Sequence, residues 1–127
     1  MKTVGFIEEV VFKDFTKNPV RAKIDTGAYS GAMHAEDIKI IQKDDGQYVL
    51  SFRPFGLKKP VEKKCFRSIE VRSSDGLNQQ RFSILTKITI SGNDYTMRIS
   101  LTDRSNMSYE VIIGRRFLKN KFLVDPK

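Results

Sequence analysis

"KIDTGAYSG", residues Lys23 to Gly31, joins the end of an apolar run to a loop of small and polar residues. The preceding residues form a strand pattern, so Asp25 is expected to project from a strand end among small neighbours. Gly27 lets another backbone approach closely, and Thr26 offers a hydroxyl for a supporting hydrogen bond. Because Asp-Thr-Gly after a strand is often an ordinary turn, the rest of the chain must decide whether Asp25 is catalytic.

Length and composition predict a single folded domain over residues 1–127. Hydrophobic residues make up 39% of the chain and charged residues 30%, which is typical of a globular protein with its own core. The single cysteine, Cys65, cannot form an internal disulfide, and this favours the reducing cytoplasm. Glu8 and Glu9 interrupt the apolar stretch at the N-terminus, and no run is long enough to cross a bilayer. We therefore expect a cytoplasmic protein without a targeting or membrane segment.

The charge balance points to an acidic partner. Twenty-three Lys and Arg residues against fifteen Asp and Glu residues give a formal charge of +8 and a pI near 9.7. Such a surface attracts nucleic acid, an anionic membrane or an acidic peptide. Charge alone does not choose among these three partners.

Short apolar runs separated by Gly, Asp and Asn predict an all-β domain. The predicted strands are Gly5–Phe12, Val20–Asp25, Tyr48–Phe52, Ile69–Arg72, Gln80–Ile90, Asp94–Leu101, Val111–Ile113 and Phe122–Val124. Turn residues predict hairpins at Asp44–Gly46, Ser74–Gly76 and Ser91–Asn93. Short helices are predicted over Met33–Ile41 and Arg115–Asn120, and an exposed loop or edge crossing over Lys58–Lys64.

A second motif lies far from the first. "VIIGRRFL", Val111–Leu118, has β-branched residues, then Gly-Arg, then an apolar helical turn. Between the motifs lies the predicted hairpin Phe66–Arg81, in the position of a flap. This order resembles a retropepsin, in which the hydrophobic-hydrophobic-Gly-Arg element packs beneath the catalytic loop. The resemblance implies a closed β-barrel with a flap hairpin and one or two short helices, assembled as a dimer.

Longer blocks sharpen this resemblance. "AKIDTGA" with "MHAEDI", "SSDG" with "RFSILTKITISG", and "LTDRSNMSYEVIIGRRFLKNKFLVDP" together extend over nearly the whole chain. They are similar to the RimB-like, retropepsin-like family that has been labelled ATP-dependent zinc proteases. That family is linked to the RimK type of glutamate ligase, so the resemblance implies an aspartic peptidase with a functional link to such a ligase.

Aspartic proteolysis needs two carboxylates about 3 Å apart that share one proton. One carboxylate activates water and the other donates to the substrate carbonyl. The chain has one Asp-Thr-Gly, so Asp25 is expected to pair with Asp25 of a second copy across a two-fold axis. The predicted catalytic residues are Asp25, Thr26 and Gly27, and the predicted active form is a homodimer.

Two other aspartates are alternative partners for Asp25 within one chain. Asp37 is expected at a solvated helix end. Asp103 stands next to Arg104, where a structural salt bridge is the more ordinary role. Both are therefore weaker candidates than a second Asp25.

The sequence gives little support for a metal or a cofactor. A catalytic zinc needs about three protein ligands, and the chain has one histidine, His34, and one cysteine, Cys65. No His-Glu-x-x-His motif or phosphate-binding loop is present. We expect no cofactor, and we expect His34 to be hydrogen-bonded beside the active-site loop.

Substrate preference is predicted from the arginines, because guanidinium groups bind carboxylates in pairs of hydrogen bonds. Some of them flank the predicted flap turn and others lie near the catalytic loop. The predicted substrate-binding residues are Ala28, Arg72, Ser74, Arg81, Arg104 and Arg115. Arg21, Arg53 and Arg98 are interpreted as solvated strand residues. The link to glutamate ligases likewise implies an acidic substrate, namely α-linked glutamate tails.

Two other functions compete with the peptidase. A basic β-barrel that binds nucleic acid would have the same pI, but aromatic residues such as Phe52, Phe82 and Tyr95 are dispersed and form no stacking platform. Nucleic acid is therefore the less favoured partner. A retropepsin fold without catalysis, acting as an adaptor, is the other alternative, and the intact Asp-Thr-Gly argues against it.

Overall fold

The computed structural model describes residues 2–72, 76–119 and 121–124, with only the backbone of residues 71 and 72. The strands are β1 (Lys2–Val4), β2 (Ile7–Val11), β3 (Val20–Asp25), β4 (Gly31–Gln42), β5 (Tyr48–Pro54), β6 (Val61–Lys63), β7 (Arg67–Arg72), β8 (Asn78–Ile90), β9 (Asn93–Thr102), β10 (Val111–Gly114) and β11 (Phe122–Val124). Helix α1 spans Arg115–Leu118. The all-β prediction is confirmed.

Six of these strands form a closed barrel. Their order is β10-β3-β2-β8-β9-β4, and pairing of β4 with β10 closes the ring. Strands β5 and β6 extend from β4, while β7 forms a hairpin with β8 outside the ring. Strands β1 and β11 form a separate parallel pair. The predicted closed β-barrel is therefore confirmed, and the predicted flap segment corresponds to the β7–β8 hairpin.

The barrel core follows from residue alternation in the long strands. In β9, Met97, Ile99 and Leu101 are buried and their neighbours are more exposed. In β8, Ile84 and Ile88 are buried in the same way. Since successive side chains of a strand point to opposite faces, this period of two directs one face into the barrel.

The helix predicted over Met33–Ile41 is wrong, because these residues belong to strand β4. This strand pairs with β9 and β10 at its start and with β5 further along. A bulge between Glu36 and Lys39 interrupts its pairing with β5, and Asp37 within it has φ of +51°. Pairing with three strands outweighs the weak local helix propensity.

Other predictions differ in detail. Strand β6 lies inside the segment predicted as the loop Lys58–Lys64 and pairs with β5. Strand β1 was not predicted. Helix α1 is shorter than its prediction, whose last residue lies outside the described part of the chain. Within the described residues no helix is long and apolar enough to cross a membrane.

The hairpin predictions at Asp44–Gly46 and Ser91–Asn93 are confirmed. Gly46 and Gly92 have φ of +85° and +80°, which glycine adopts readily. In the third hairpin residues 73–75 lie outside the described part, but the flanking strands β7 and β8 pair with Arg72 opposite Asn78. Gly76 has φ of +84°.

Asp94 makes the stability of the β8–β9 hairpin dependent on pH. The Thr89 hydroxyl and the Lys13 ammonium donate to its carboxylate and lower the pKa of Asp94. Because the pKa of Asp94 is lower in the folded protein than in the unfolded chain, its ionised carboxylate stabilises the fold at pH values above the unfolded pKa of about 3.9. This stabilisation is lost as the pH falls through the pKa of the folded state. Asp94→Asn should therefore lower the melting temperature at about pH 6 more than at about pH 3. An equal loss at both values would contradict this assignment.

Candidate active site

Asp25 is placed by the parallel pairing of β3 with β10. Asp25 is the last residue of β3 and lies opposite Gly114, the last residue of β10. Because parallel strands end at the same edge of a sheet, the segments that follow both strands meet there. The Asp25 side chain is partly exposed at this edge.

Backbone hydrogen bonds fix the loop after Asp25. The Gly27 N–H donates to Asp25 Oδ1 at 3.0 Å, and the Ala28 N–H donates to the Asp25 carbonyl at 3.1 Å. At the start of α1, the Arg115 N–H donates to the Ala28 carbonyl at 2.8 Å, and the Arg116 N–H donates to the Tyr29 carbonyl at 3.1 Å. The first amides of a helix have no partner within the helix, so the loop satisfies two of them and is held in return.

Gly114 permits this close contact. A Cβ atom at this position would lie 2.7 Å from the carbonyl oxygens of Tyr29 and Ser30, which are backbone atoms. Gly31 is similarly constrained, because its Cβ would lie 2.9 Å from the Ile112 carbonyl oxygen. The Gly-Arg element therefore packs against the Asp25 loop, as the resemblance to a retropepsin implied.

A cleft of about 450 Å³ opens beside Asp25. It is lined by Phe6, Ile7, Lys23, Ile24, Asp25, Thr26 and Tyr109. Among these lining residues Asp25 is the one carboxylic acid. Phe6 and Ile7 are 48% and 42% exposed, so the cleft has an uncovered apolar rim.

Two of the predicted substrate-binding arginines contact the surroundings of this cleft. Arg115 Nη1 donates to the Gly27 carbonyl at 3.3 Å, and its guanidinium lies 5.3 Å from the centre of the Tyr29 ring. Arg104 Nε donates to the Tyr109 carbonyl at 3.0 Å, and burial lowers the pKa of Arg104. Both side chains thus hold backbone at the site, and their contact with substrate stays a prediction.

The other predicted binding residues lie in the Asp25 loop, on β8 or outside the described residues. Ala28 is half-buried in the loop, and Arg81 is exposed on β8 opposite Ile69 of β7. The Arg72 side chain and the whole of Ser74 lie outside the described residues.

The two alternative aspartates have other partners. Asp37 lies in the β4 bulge and accepts a hydrogen bond from Arg53 Nε at 2.6 Å, so the predicted helix end is wrong. Asp103 accepts hydrogen bonds from the backbone and hydroxyl of Ser105, which lower its pKa. Arg104 binds a carbonyl, not Asp103, so the predicted salt bridge is wrong as well. Neither aspartate lines the Asp25 cleft.

His34 is buried in β4 and hydrogen-bonded on both sides of its ring. Nδ1 accepts from the Arg104 N–H at 2.9 Å, so the proton lies on Nε2 and is donated to Glu36 Oε1 at 2.9 Å. Both ring nitrogens are thus occupied by protein groups. Within the described residues no three His, Cys, Asp or Glu side chains form a possible metal site. The His, Cys, Asp and Glu side chains of the described residues therefore do not fit a catalytic zinc ion, although the family that the sequence resembles has been labelled zinc proteases.

Several cleft residues were not predicted. Lys23 was detectable, because strand alternation places it on the same face as Asp25. Phe6 and Ile7 come from β2 and the residue before it. Tyr109 lies in the irregular segment before β10, where no periodicity indicates which way a side chain points.

Comparisons with known proteins agree with this geometry. The model of the family described as "Retropepsin-like aspartic endopeptidase RimB" matches residues 3–127. A probable alpha-L-glutamate ligase of Shewanella pealeana is 27% identical over 97% of this chain, and one of Shewanella halifaxensis is 26% identical over the same share. This chain spans 28% of the length of each of these relatives.

A solved structure shows the same fold. The crystal structure of a protein of unknown function from Legionella pneumophila superposes with a TM-score of 0.76 at 25% identity. The alignment covers 98% of this chain and 93% of that one. Together with the family match over nearly all residues, these findings show that the chain belongs to the RimB-like family of retropepsin-like aspartic endopeptidases.

Proposed function

We propose that this chain is an aspartic peptidase that acts as a homodimer and removes α-linked glutamate from acidic peptide tails. The observation that carries the proposal is the position of Asp25. Its carboxylate lies at a strand end in an open cleft, in a loop held by hydrogen bonds, and among the described residues that line the cleft it is the one carboxylate. We infer that the second carboxylate, which aspartic proteolysis requires, comes from Asp25 of another copy.

The rim of the cleft suits such a partner. Phe6 and Ile7 are each more than two-fifths exposed beside Asp25, and Tyr29 is 56% exposed on the loop that follows. Neighbouring exposed apolar side chains of this kind mark interaction surfaces. A second subunit at this surface would cover them and bring its own Asp25 to the first.

In the proposed reaction one of the paired Asp25 side chains is ionised and the other is protonated. The ionised carboxylate takes a proton from water, which attacks the peptide carbonyl carbon, while the protonated one donates to the carbonyl oxygen. The Gly27 N–H bond to Oδ1 fixes the orientation of the carboxylate. Thr26 is exposed in the same cleft and offers a hydroxyl to the substrate backbone.

An acidic substrate is supported by charge and by the relatives. The net charge is +8, and Lys23 lies in the cleft beside Asp25. The named relatives are probable alpha-L-glutamate ligases, and each contains a region similar to nearly all of this chain. A peptidase for α-linked glutamate would act on the kind of bond that such a ligase forms.

The proposal is tested with two peptides that share one body and differ in their C-terminal tails, α-linked glutamates or glutamines. Mass spectrometry after incubation should show stepwise loss of glutamate and slower or no loss of glutamine. The expected preference is about tenfold or more, because a charge-assisted contact adds about 1.5–3 kcal/mol. Cleavage of both tails at equal rates would refute acidic specificity. Cleavage of neither by a verified dimer would refute the peptidase.

A further inference from the structure

A second cleft, of about 470 Å³, lies apart from the Asp25 cleft and shares none of its lining residues. Four cations are present among its described lining residues: Arg67 of β7, Arg98 of β9, Arg116 of α1 and Lys121 just after α1. We call it the cationic pocket. No acidic residue is found among the described residues that line it. Its volume is in the range of ordinary ligand sites.

Within the described part of the chain, the charges of the pocket are not neutralised by ion pairs. None of the four cations takes part in an ion pair among the described residues, although the chain forms such pairs elsewhere. Burial, together with repulsion from Arg67 and Arg116, lowers the pKa of Arg98. Arg98 is half-buried and donates to the Ser83 hydroxyl at 3.2 Å, so its interpretation as a solvated strand residue is wrong. Like charges held together in a cleft favour an anionic ligand that bridges them.

The rest of the lining favours a peptide over a nucleic acid. Ser30, Ser83 and Ser100 supply hydroxyls, and Ile69 and Leu85 supply exposed apolar surface for aliphatic side-chain stems. Phe117, the one aromatic residue among the described lining residues, is only 8% exposed. Its ring packs on Tyr95 and Phe122, and the Lys121 ammonium lies 4.6 Å from its centre. Binding of single-stranded nucleic acid uses exposed rings on which bases stack, and the described lining of the pocket offers none.

We infer that the cationic pocket binds a run of carboxylates in an acidic peptide, outside the cleft where the bond is cut. The pocket is joined to the catalytic loop, because Ser30 follows that loop and Arg116 donates its N–H to the Tyr29 carbonyl. The pocket would then bind several carboxylates of one substrate tail at the same time. The inference that the pocket helps to select the substrate rests on the proposed function. Binding of an acidic peptide to the pocket, in contrast, is measured without any cleavage.

The test measures binding of fluorescein-labelled hexa-α-glutamate by anisotropy at about 0.15 M salt, in the Asp25→Asn background. Arg67→Gln/Arg116→Gln removes two exposed cations of the pocket. Lys58→Gln/Lys59→Gln removes the same charge from an exposed loop that lines neither cleft. The first pair should weaken binding about tenfold, and the control pair about twofold or less. Equal weakening by both pairs would reduce the effect to net charge and overturn the inference.

A second pocket variant and a nucleic-acid ligand complete the binding test. Arg116 also lies 5.8 Å from the centre of the Tyr29 ring, so Arg67→Gln/Lys121→Gln is a second variant that leaves this contact intact. It should weaken binding to a similar extent, and unchanged binding would count against the pocket. An oligothymidylate of equal charge should bind more weakly than hexaglutamate. Equal or tighter binding of the oligothymidylate would overturn the assignment of a peptide ligand.

The proposed function and this inference fail separately. Loss of hexaglutamate binding in the pocket variants supports the pocket even if no peptide is ever cut. If cleavage occurs, the pocket variants should raise KM for the glutamate tail and leave kcat within about twofold, because the cations act away from the reacting bond. A fall in kcat with unchanged KM would place their role in the chemistry and overturn the inference.

Discussion

Asp25→Asn should abolish cleavage of the glutamate tail, lowering kcat/KM by about 10²- to 10⁴-fold. The amide keeps the size of the side chain, and its oxygen can still accept the Gly27 N–H, so the loop should keep its conformation. The substitution removes the carboxylate that takes the proton from water in the proposed reaction. Mass spectrometry of the glutamate-tailed peptide measures the rate, and an unchanged melting temperature shows that the fold is intact. Residual activity near that of wild type would remove Asp25 from the mechanism.

The same variant tests whether the second carboxylate comes from another copy. Mixing wild type with excess Asp25→Asn should suppress activity, because mixed dimers contain one carboxylate. Asp37→Asn and Asp103→Asn are the controls for pairing within one chain, and both should keep activity within a few-fold of wild type. Neither residue lines the Asp25 cleft. Loss of activity in one of these two controls, without suppression on mixing, would favour a monomeric site.

Gly114→Ala should disturb the candidate active site without replacing any residue that lines the Asp25 cleft. The new methyl group would lie 2.7 Å from the carbonyl oxygens of Tyr29 and Ser30, and neither is a flexible side-chain end that can move away. The loop must shift away from β10, which loosens the hydrogen bonds from Arg115 and Arg116 and displaces Asp25. Overpacking of this kind costs about 1–3 kcal/mol of unfolding free energy. We expect activity per folded molecule to fall at least about tenfold, since small misplacements of reacting groups are costly.

Gly46→Ala provides the matched control for this prediction. Gly46 lies in the β4–β5 turn with open space around it, and its φ of +85° makes alanine unfavourable there. It should cost about 1–2 kcal/mol through backbone strain alone. Urea denaturation should therefore show both variants destabilised, while activity per folded molecule falls in Gly114→Ala only. Full activity and stability in Gly114→Ala would show that the contact at Gly114 is not constrained.

Sequence reasoning predicted the parts of the fold in which local pattern and packing agree. Strands β8 and β9 alternate buried and exposed residues around a Ser-Gly-Asn turn, and both were predicted. It failed at β4, where residues 33–41 looked helical. The strand conformation there results from pairing with β5, β9 and β10, and none of these partners is adjacent in sequence to the first half of β4. Local propensity contains no information about such partners.

The functional residues also fall into two groups, those that a sequence motif predicts and those that only the folded structure brings together. Asp25 and Gly114 were predictable, because each belongs to a short motif whose residue types follow from its chemistry or close packing. Arg98 was misread, since a charged residue in a strand gives no indication of what covers it. The cationic pocket draws on β7, β9 and α1, so it exists only after the barrel has closed.

The hydrogen bonds between the Asp25 loop and α1 also make this site observable before any substrate is known. A four-residue helix has little stability of its own, so it depends on the loop carbonyls of Ala28 and Tyr29 that accept its first amides. Opening of the loop therefore exposes the Arg115 and Arg116 amides to solvent deuterium. Their exchange rates, measured by NMR, report the free energy needed to disorder the Asp25 loop in the resting protein.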